Sequence, residues 1–255
     1  MNDEAEPVYG RHPVLELLRG GHRRVQEVAV LSEGRGPALQ DLLRLARSQG
    51  VKIAFRTRDQ LSAMAGTPHH QGVVARVSEA EFATLDEVLA AVGAGPAFLV
   101  ALDGVQDPRN LGAILRTLEA AGGHGAVLPR HQSVGLTGTV AKSSAGALEH
   151  VPVAREGNMV RALEQLKEQS VWVMGASQGE GRPPWEVDLT VPLCLVLGGE
   201  GAGLRPLVRR TCDLLLSLPM LGRIGSLNVS AAAAALCYEV VRQRILKGSG
   251  EKLLD

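Results

Sequence analysis

The stretch 214–244 reads LLLSLPMLGRIGSLNVSAAAAALCYEVVRQR, and it predicts a strand, a loop and a long helix in that order. Residues 214–218 are almost all apolar, as in a buried strand, and Ser226 and Asn228 are residue types that cap helix starts. The alanine run at 231–235 favours helix and lets another backbone approach closely. A strand, a glycine loop and a polar helix start often build a ligand site, although a buried strand and a core helix explain this stretch equally well.

The composition is that of an ordinary globular protein. Its 255 residues suffice for one large or two medium domains, and its formal net charge of +0 gives no general attraction to nucleic acid or membrane. The charge is uneven, however. Residues 8–78 carry eleven basic side chains, ten Arg and one Lys, against five acidic ones, and they lie between acidic stretches at 1–7 and 79–87. We therefore expect a modestly basic N-terminal module.

The cysteines and the termini indicate the compartment. Cys194, Cys212 and Cys237 lie far apart and form no CxxC pair, so neither a disulfide framework nor a zinc site is predicted, and no metal is expected. The N-terminus is acidic and polar, unlike a signal peptide, and no apolar run approaches the roughly 20 residues that span a bilayer. We expect a soluble cytoplasmic protein with no membrane partner.

Strands and helices alternate along the chain, which is typical of an α/β fold. The N-terminal part predicts strands at 25–31, 51–55 and 73–77 and helices at 13–19, 37–48 and 58–65. The remainder predicts strands at 97–102, 125–128, 151–154, 171–176, 193–197 and 214–218, with helices at 110–121, 139–148, 159–169 and 204–211. These six strands predict a mostly parallel sheet covered on both faces. The predicted organisation is a tail at 1–7, a small domain at 8–78, a linker at 79–95, a larger domain at 96–247 and a tail at 248–255.

Three loops of the larger domain carry the polar residues that chemistry requires. They follow the strands that end at Leu102, Leu197 and Leu218, and ligands of parallel sheets bind outside the carboxyl ends of the strands. The first loop leads to Asn110 near a helix start and to Arg116 among apolar neighbours. A capped helix with an exposed Arg116 is the structural alternative.

The glycine loop at 198–203 excludes two common nucleotide motifs. No Gly-Lys-Ser/Thr follows it, and Leu204 occupies the last position of a GxGxxG pattern, so neither a Walker loop nor a nicotinamide site is supported. A tight turn explains the glycines but not Glu200 between them. If the loop backbone binds a ligand, the Glu200 carboxylate would face that ligand. The third loop offers Ser226, but no GxSxG elbow accompanies it, and a hydrolase triad is therefore poorly supported.

The three loops together resemble the motifs of the SpoU/TrmH class of RNA ribose 2′-O-methyltransferases, within the SPOUT superfamily. The matching residues are NLGAILRT at 110–117, Leu197-Gly198-x-Glu200-x-x-Gly203-Leu204, and Leu218-Pro219-Met220 followed by SLNVS at 226–230. The resemblance continues through AKxSxGAxE at 141–149. In the N-terminal domain, VYGRHPV at 8–14 and HQGV at 70–73 resemble the substrate-binding domain attached to many of these enzymes. Among them, the chain is most similar to members that methylate a guanosine ribose in 23S ribosomal RNA.

This resemblance implies the fold, the cofactor and the partners. It implies a small N-terminal α/β RNA-binding domain and a C-terminal α/β domain with a mostly parallel sheet and a trefoil knot. It also implies S-adenosyl-L-methionine as cofactor, ribosomal RNA as substrate, a homodimer and no metal. The implied cofactor-binding residues are Leu197, Gly198, Gly203, Leu218, Met220 and Leu227. The implied catalytic residues are Asn110, Arg116, Glu200, Ser226 and Asn228.

The roles of these residues follow partly from their chemistry. A guanidinium is effectively always protonated, so our hypothesis is that Arg116 holds an RNA phosphate and stabilises charge on the 2′-oxygen rather than acting as a base. Asn110 and Ser226 would orient the reactants, and Glu200 would hold Arg116 or Asn110. The candidate RNA contacts of the N-terminal domain are Arg11, His12, Arg23, Arg24, His70 and Gln71.

Two alternatives remain open from the sequence. The chain could be a related ribose methyltransferase that acts on another rRNA or tRNA site, or an RNA-binding protein that has lost catalysis. The tRNA-specific relatives lack the N-terminal module, and the intact motif residues argue against lost catalysis.

Overall fold

The computed structural model describes residues 6–20, 23, 25–34, 36–78 and 80–248. The chain forms two compact units. The first unit comprises Met1–Glu81 with Gly135–His150, and the second comprises Phe82–Val134 with Val151–Asp255. Within the described ranges, every helix is too short or too polar to span a lipid bilayer.

The first unit is built around a small mixed sheet. Its described strands are β1 (Glu6–Tyr9), β2 (Val25–Leu31), β3 (Lys52–Arg56) and β4 (Val73–Val77), in the order β1-β4-β2-β3. Strands β2 and β3 are parallel, and β4 is antiparallel to both β1 and β2. Its first three helices are α1 (Arg11–Gly20), α2 (Pro37–Ser48) and α3 (Arg58–Ala65). The predicted elements are confirmed, except that residues 6 and 7 of the expected tail form β1, because their backbone pairs with β4.

The second unit contains the predicted parallel sheet. Among the described residues, its strands are β5 (Phe98–Asp103), β6 (Gly125–Pro129), β7 (Val153–Glu156), β8 (Trp172–Ala176), β9 (Leu193–Gly198) and β10 (Leu214–Leu216). All are parallel, in the order β10-β8-β9-β5-β6-β7. Strands β5 and β6 are buried throughout, as expected for a sheet covered on both faces. The helices of this unit are α4 (Leu85–Ala90), α5 (Pro108–Ala120), α7 (Met159–Glu168), α8 (Pro206–Thr211) and α9 (Val229–Gly248).

Residues 135–150 leave the larger sheet between β6 and β7 and pack with the first unit instead. They form α6 (Gly138–Ser143) and a 3-10 helix at Ala147–Glu149. The single helix predicted at 139–148 is therefore wrong, because Ala145 and Gly146 have left-handed φ values of 52° and 99°. The packing is close, since a Cβ on Gly146 would lie 2.5 Å from Cβ of Glu16.

The end of the predicted linker also belongs to a core. Thr84 and Glu87 form a capping box at the start of α4, which fixes where that helix begins. Leu85 and Val88 are buried against the larger sheet, and Ala83 forms an isolated parallel bridge with Ala154 of β7. The boundary between the two units lies between Glu81 and Phe82, inside the acidic stretch at 79–87. The start of that stretch therefore belongs to the first unit and the rest to the second.

Candidate functional site

A cavity of about 460 Å³ opens where the loops after β8, β9 and β10 meet the start of α9. This is the carboxyl edge of the sheet, where ligands of parallel sheets bind. Six of its lining residues are those that the resemblance assigned to the cofactor: Leu197, Gly198, Gly203, Leu218, Met220 and Leu227. Glu200, Ser226 and Asn228 line it as well. The structure thus brings nine of the eleven predicted catalytic and cofactor residues together and leaves Asn110 and Arg116 outside the lining.

The glycine loop folds back so tightly that backbone, not side chains, forms one wall of the cavity. A Cβ on Gly198 would lie 2.1 Å from the carbonyl carbon of Gly203 and 2.4 Å from the nitrogen of Leu204. The nitrogen of Gly199 donates to the Asp103 carbonyl at 2.8 Å, and that of Gly203 donates to the Gly199 carbonyl at 3.1 Å. A side chain at position 198 would therefore collide with the backbone of Gly203 and Leu204 unless the loop moved.

A buried ion pair that sequence reasoning missed ties this loop to the centre of the sheet. The Asp103 side chain at the end of β5 is 0% exposed. Its Oδ1 accepts from Nε of Arg205 at 2.7 Å, and its Oδ2 accepts from the backbone nitrogen of Arg205 at 2.8 Å. The sequence does contain an indication of this pair, because Asp103 directly follows the apolar residues 97–102. A charged side chain that is buried at such a position needs a partner of opposite charge.

Replacing Arg205 by alanine should destabilise the protein by about 2–4 kcal/mol, because Asp103 then keeps its charge in a buried position with only one strong donor. The expected loss of stability lies below the largest values for buried ion pairs, because the Arg205 side chain is half exposed. The measurement is urea unfolding, followed by the shift in midpoint. Arg210→Ala is the matched control, since Arg210 is exposed and has no ion pair with any described residue. Equal midpoints for the two variants would contradict the assigned role of the pair.

A chain of polar side chains joins the three predicted loops. Nδ2 of Asn110 donates to Oε1 of Glu200, and Nδ2 of Asn228 donates to Oδ1 of Asn110 at 3.2 Å. Oδ1 of Asn228 in turn accepts from the backbone nitrogen of Ser230 at 2.9 Å and caps α9. Asn110 is only 8% exposed, and its side-chain amide hydrogen-bonds to both Glu200 and Asn228. These two hydrogen bonds hold the start of α5 against the second and third loops.

Arg116 and Ser226 stand apart from that chain. Arg116 is exposed on the face of α5 opposite the buried Ile114 and Leu115, and it bonds to no residue that the structure describes. Of the two partners considered for Glu200, the structure shows Asn110 and not Arg116. Ser226 is exposed at the cavity, and its hydroxyl makes no hydrogen bond within the described part of the chain. Both side chains are therefore available to a substrate.

The cavity lining also contains residues that sequence reasoning missed. Ser177 and Gln178 after β8 line the cavity together with Arg209 of α8. Nη2 of Arg209 pairs with the carboxylate of Glu180. The sequence carried a signal, because Gly-Glu-Gly occurs at 179–181 as well as at 199–201, and both copies lie in loops at the carboxyl edge of the sheet.

The predicted RNA contacts of the first unit divide into exposed and buried residues. Arg11, His12 and Gln71 are exposed. Arg23 is not available, because its side chain is 5% exposed and donates to the Ser78 carbonyl through Nε at 2.8 Å and through Nη2 at 2.6 Å. It also pairs with Glu149 at 3.5 Å. Arg24 lies outside the described residues.

His70 is also a structural residue rather than a surface contact. It is 2% exposed, and its Nδ1 accepts from the backbone nitrogen of Gly72 at 3.0 Å. Burial lowers the pKa of His70, and the charge of Arg58 lowers it further. The neutral ring that results is the form that can accept this bond. Arg23 and His70 are therefore corrections to the predicted set of RNA contacts.

The described residues contain neither a cluster of metal ligands nor an activated thiol at Cys212 or Cys237. No group of three or more His, Cys, Asp or Glu side chains there could hold a metal ion. Burial raises the pKa of Cys212 to about 11 and that of Cys237 to about 12, so both thiols are protonated at neutral pH. The cavity instead offers backbone, carboxylate, amide and hydroxyl groups beside apolar side chains.

Comparison with known proteins gives consistent results along the whole chain. Residues 97–238 match the family model of the SpoU rRNA Methylase family, and residues 7–83 match that of RNA 2′-O ribose methyltransferase substrate binding. A Bacillus subtilis protein, YacO, named for the TrmH family of tRNA/rRNA methyltransferases, is 42% identical over 96% of this chain and 98% of its own. The 23S rRNA (guanosine-2′-O-)-methyltransferase RlmB of Ralstonia nicotianae is 42% identical over 92% of this chain and 94% of its own.

A solved structure is similar to this chain over the residues of both units. The SpoU methyltransferase AviRb from Streptomyces viridochromogenes, in complex with the cofactor AdoMet, matches with a TM-score of 0.80 and 26% sequence identity. The match covers 95% of this chain and 91% of that one. The likeness therefore extends over the first unit as well as the parallel sheet.

Proposed function

The chain belongs to the SpoU rRNA methylase family, and from that membership we propose that it transfers the methyl group of S-adenosylmethionine to the 2′-oxygen of a guanosine ribose in 23S ribosomal RNA. The observation that carries the proposal is the cavity at the carboxyl edge of the sheet, lined by all six residues expected to bind the cofactor. We propose the cytoplasm as its location, because its relatives come from bacteria, in which ribosomal RNA is cytoplasmic.

The cavity fits S-adenosylmethionine by size and by chemistry. About 460 Å³ lies within the roughly 300–1,000 Å³ of typical ligand sites. Leu218 and Leu227 offer apolar contact to an adenine ring, and the backbone from Gly198 to Gly203 offers N–H and carbonyl groups to its edge. The carboxylate of Glu200 and the guanidinium of Arg209 also line the cavity, beside their partners Asn110 and Glu180, and they match the ammonium and the carboxylate of the cofactor in charge.

The bound cofactor would supply an electrophilic methyl group on a positively charged sulfur. The protein's own part is to place the ribose in line with it and to ease the loss of the hydroxyl proton. Asn110, held by Glu200 and Asn228, is positioned to orient rather than to exchange protons. Ser226 lines the same cavity with a free hydroxyl among the described residues and can hydrogen-bond the ribose.

Arg116 would stabilise the negative charge that develops on the 2′-oxygen or on the adjacent phosphate. A guanidinium suits this role because it keeps its charge at every accessible pH and binds oxygens in a fork. Arg116 does not line the cavity of its own chain, however, and it faces away from that chain's core. We therefore propose a homodimer in which Arg116 of one subunit serves the cavity of the other.

The exposed apolar residues beside the cavity support this dimer. Leu221 is 97% exposed and Ile224 is 74% exposed in the loop that leads to α9, and Tyr238 of α9 is 53% exposed. Apolar side chains grouped near one site commonly mark a surface that another chain covers. Sedimentation of the protein at rising concentration tests the dimer, and a monomer at micromolar concentration would count against it.

The substrate assignment has its own test. Purified protein with labelled S-adenosylmethionine is offered unmodified 23S rRNA, 16S rRNA and tRNA separately. We expect label in 23S rRNA alone, because relatives that are 42% identical over most of the chain are named as 23S rRNA guanosine methyltransferases. Label in tRNA and none in 23S rRNA would overturn the assignment while leaving the reaction type intact.

A further inference from the structure

A second cavity, of about 450 Å³, lies in the first unit at the carboxyl ends of the parallel strands β2 and β3. We propose that it receives one unpaired nucleotide of the RNA substrate, with the base on its apolar floor and the phosphate held by Arg11 and Arg58. The proposal rests on the proposed function, since it names how the same RNA is captured. Nothing in the sequence patterns singled out Arg58.

The charge around the cavity favours a phosphate. Arg11 begins α1 and Arg58 begins α3, so two guanidinium groups line one opening, and no described Asp or Glu side chain lines it with them. The Arg58 side chain is exposed and its guanidinium forms no ion pair with a described residue, and the Nη groups of Arg11 make no hydrogen bond within the described residues. Neither guanidinium has an acidic partner among the described residues, so a phosphate in the cavity would supply the missing negative charge.

The floor of the cavity suits a base. Leu39 is 4% exposed and Val73 is 0% exposed, and both line the cavity together with Leu31. Bases of single-stranded RNA bind on apolar surfaces and on the planes of guanidinium groups, whereas a base in a duplex is stacked and cannot enter a pocket. The cavity therefore distinguishes unpaired from paired RNA by shape.

The turn before β4 supplies a polar edge. Gln71 has a φ of 53°, which non-glycine residues seldom adopt, and such strain is typical of functional positions. Its Oε1 accepts a hydrogen bond from the backbone nitrogen of Arg11 at 3.1 Å. The Nε2 donors of the same amide take no part in that hydrogen bond. The buried His70 holds this turn through Gly72. Gln71 can therefore donate to a carbonyl oxygen of the base.

The test compares Arg58→Ala with Arg44→Ala, since Arg44 of α2 is in the same unit, is 80% exposed and does not line the cavity. The probes are a short unstructured oligoribonucleotide, the same strand annealed to its complement, and guanosine 5′-monophosphate. We expect Arg58→Ala to weaken binding of the single strand by about tenfold or more, since an arginine–phosphate fork is worth at least ~1.4 kcal/mol. Arg44→Ala should change it less than twofold, within the small worth of exposed charges.

Three results would overturn the proposal: equal affinities for the two variants, equal losses on single-stranded and annealed RNA, or binding of the mononucleotide as tight as that of the strand. The last would indicate a site for a free nucleotide. Unchanged S-adenosylmethionine affinity and unchanged thermal unfolding of Arg58→Ala exclude a folding defect. The pocket and the proposed function can fail separately. If Arg58→Ala weakens RNA binding but the unsubstituted protein methylates no 23S rRNA, the pocket is supported and the proposed function is rejected.

Discussion

Replacing Gly198 by alanine is expected to weaken S-adenosylmethionine binding by about tenfold to hundredfold. The added Cβ would lie 2.1 Å from the carbonyl carbon of Gly203 and 2.4 Å from the nitrogen of Leu204, and both are backbone atoms. Overpacking of this kind costs about 1–3 kcal/mol, and here the loop can relieve it only by moving away from β9, which deforms the wall of the cavity. Titration calorimetry with S-adenosylmethionine measures the loss.

Gly222→Ala provides the matched control. Gly222 lies in the third loop with nothing within 4 Å of an added Cβ, and its φ is not in the left-handed region. It does not line the cavity. We expect its affinity for S-adenosylmethionine to stay within twofold of the unsubstituted protein. If Gly198→Ala bound as tightly as Gly222→Ala, the backbone of the glycine loop would not form the cofactor wall.

Replacing Arg116 by alanine is expected to lower the rate of methyl transfer by about a hundredfold or more, with S-adenosylmethionine affinity unchanged. The rate falls because a fixed positive charge near a developing oxyanion is worth about 3–4 kcal/mol in the transition state. The affinity holds because Arg116 is assigned to the RNA oxygens and is not among the residues that line the cofactor cavity. Single-turnover rates with 23S rRNA give the first quantity and calorimetry gives the second.

Arg116→Lys separates charge from geometry. A lysine keeps the positive charge but loses the two parallel donors of the guanidinium. We expect a rate between those of the alanine variant and the unsubstituted protein. A lysine variant with normal turnover at every pH would contradict a bidentate role for Arg116.

Mixing the two defective proteins tests whether Arg116 acts across a dimer. Gly198→Ala retains Arg116 with a damaged cavity, and Arg116→Ala retains an intact cavity. If the subunits exchange at random, half of the dimers are mixed and each carries one complete site, so activity recovers to about a quarter of normal. No recovery after exchange would show that Arg116 serves its own chain.

The fold could be predicted from local patterns because its strands are short, apolar and separated by helices. The parallel sheet of the second unit and the three loops at its edge follow from that alternation and from the rule for ligands of parallel sheets. The resemblance then predicted nine residues that line one cavity. Periodicity alone would have left stretch 214–244 as a strand and a core helix.

The rest depended on contacts between residues far apart in the sequence. Asp103 and Arg205 are 102 positions apart, so their pairing has no local pattern. Arg23 looked like a surface cation because its partner Glu149 lies 126 positions away, in a segment that local patterns placed with the larger sheet. Burial of a charged group is decided by such partners, and a single sequence does not contain them in any local window.

The most direct test of the account is to locate the methyl group that the protein adds. Unmodified 23S rRNA is incubated with the purified protein and S-adenosylmethionine, digested to nucleosides and fragments, and mapped by mass spectrometry. The account predicts 2′-O-methylguanosine at one position, formed about a hundredfold more slowly, or more slowly still, when Arg116→Ala replaces the unsubstituted protein. A methyl group on a base, or no methylation of 23S rRNA by a protein that binds both S-adenosylmethionine and the RNA, would contradict it.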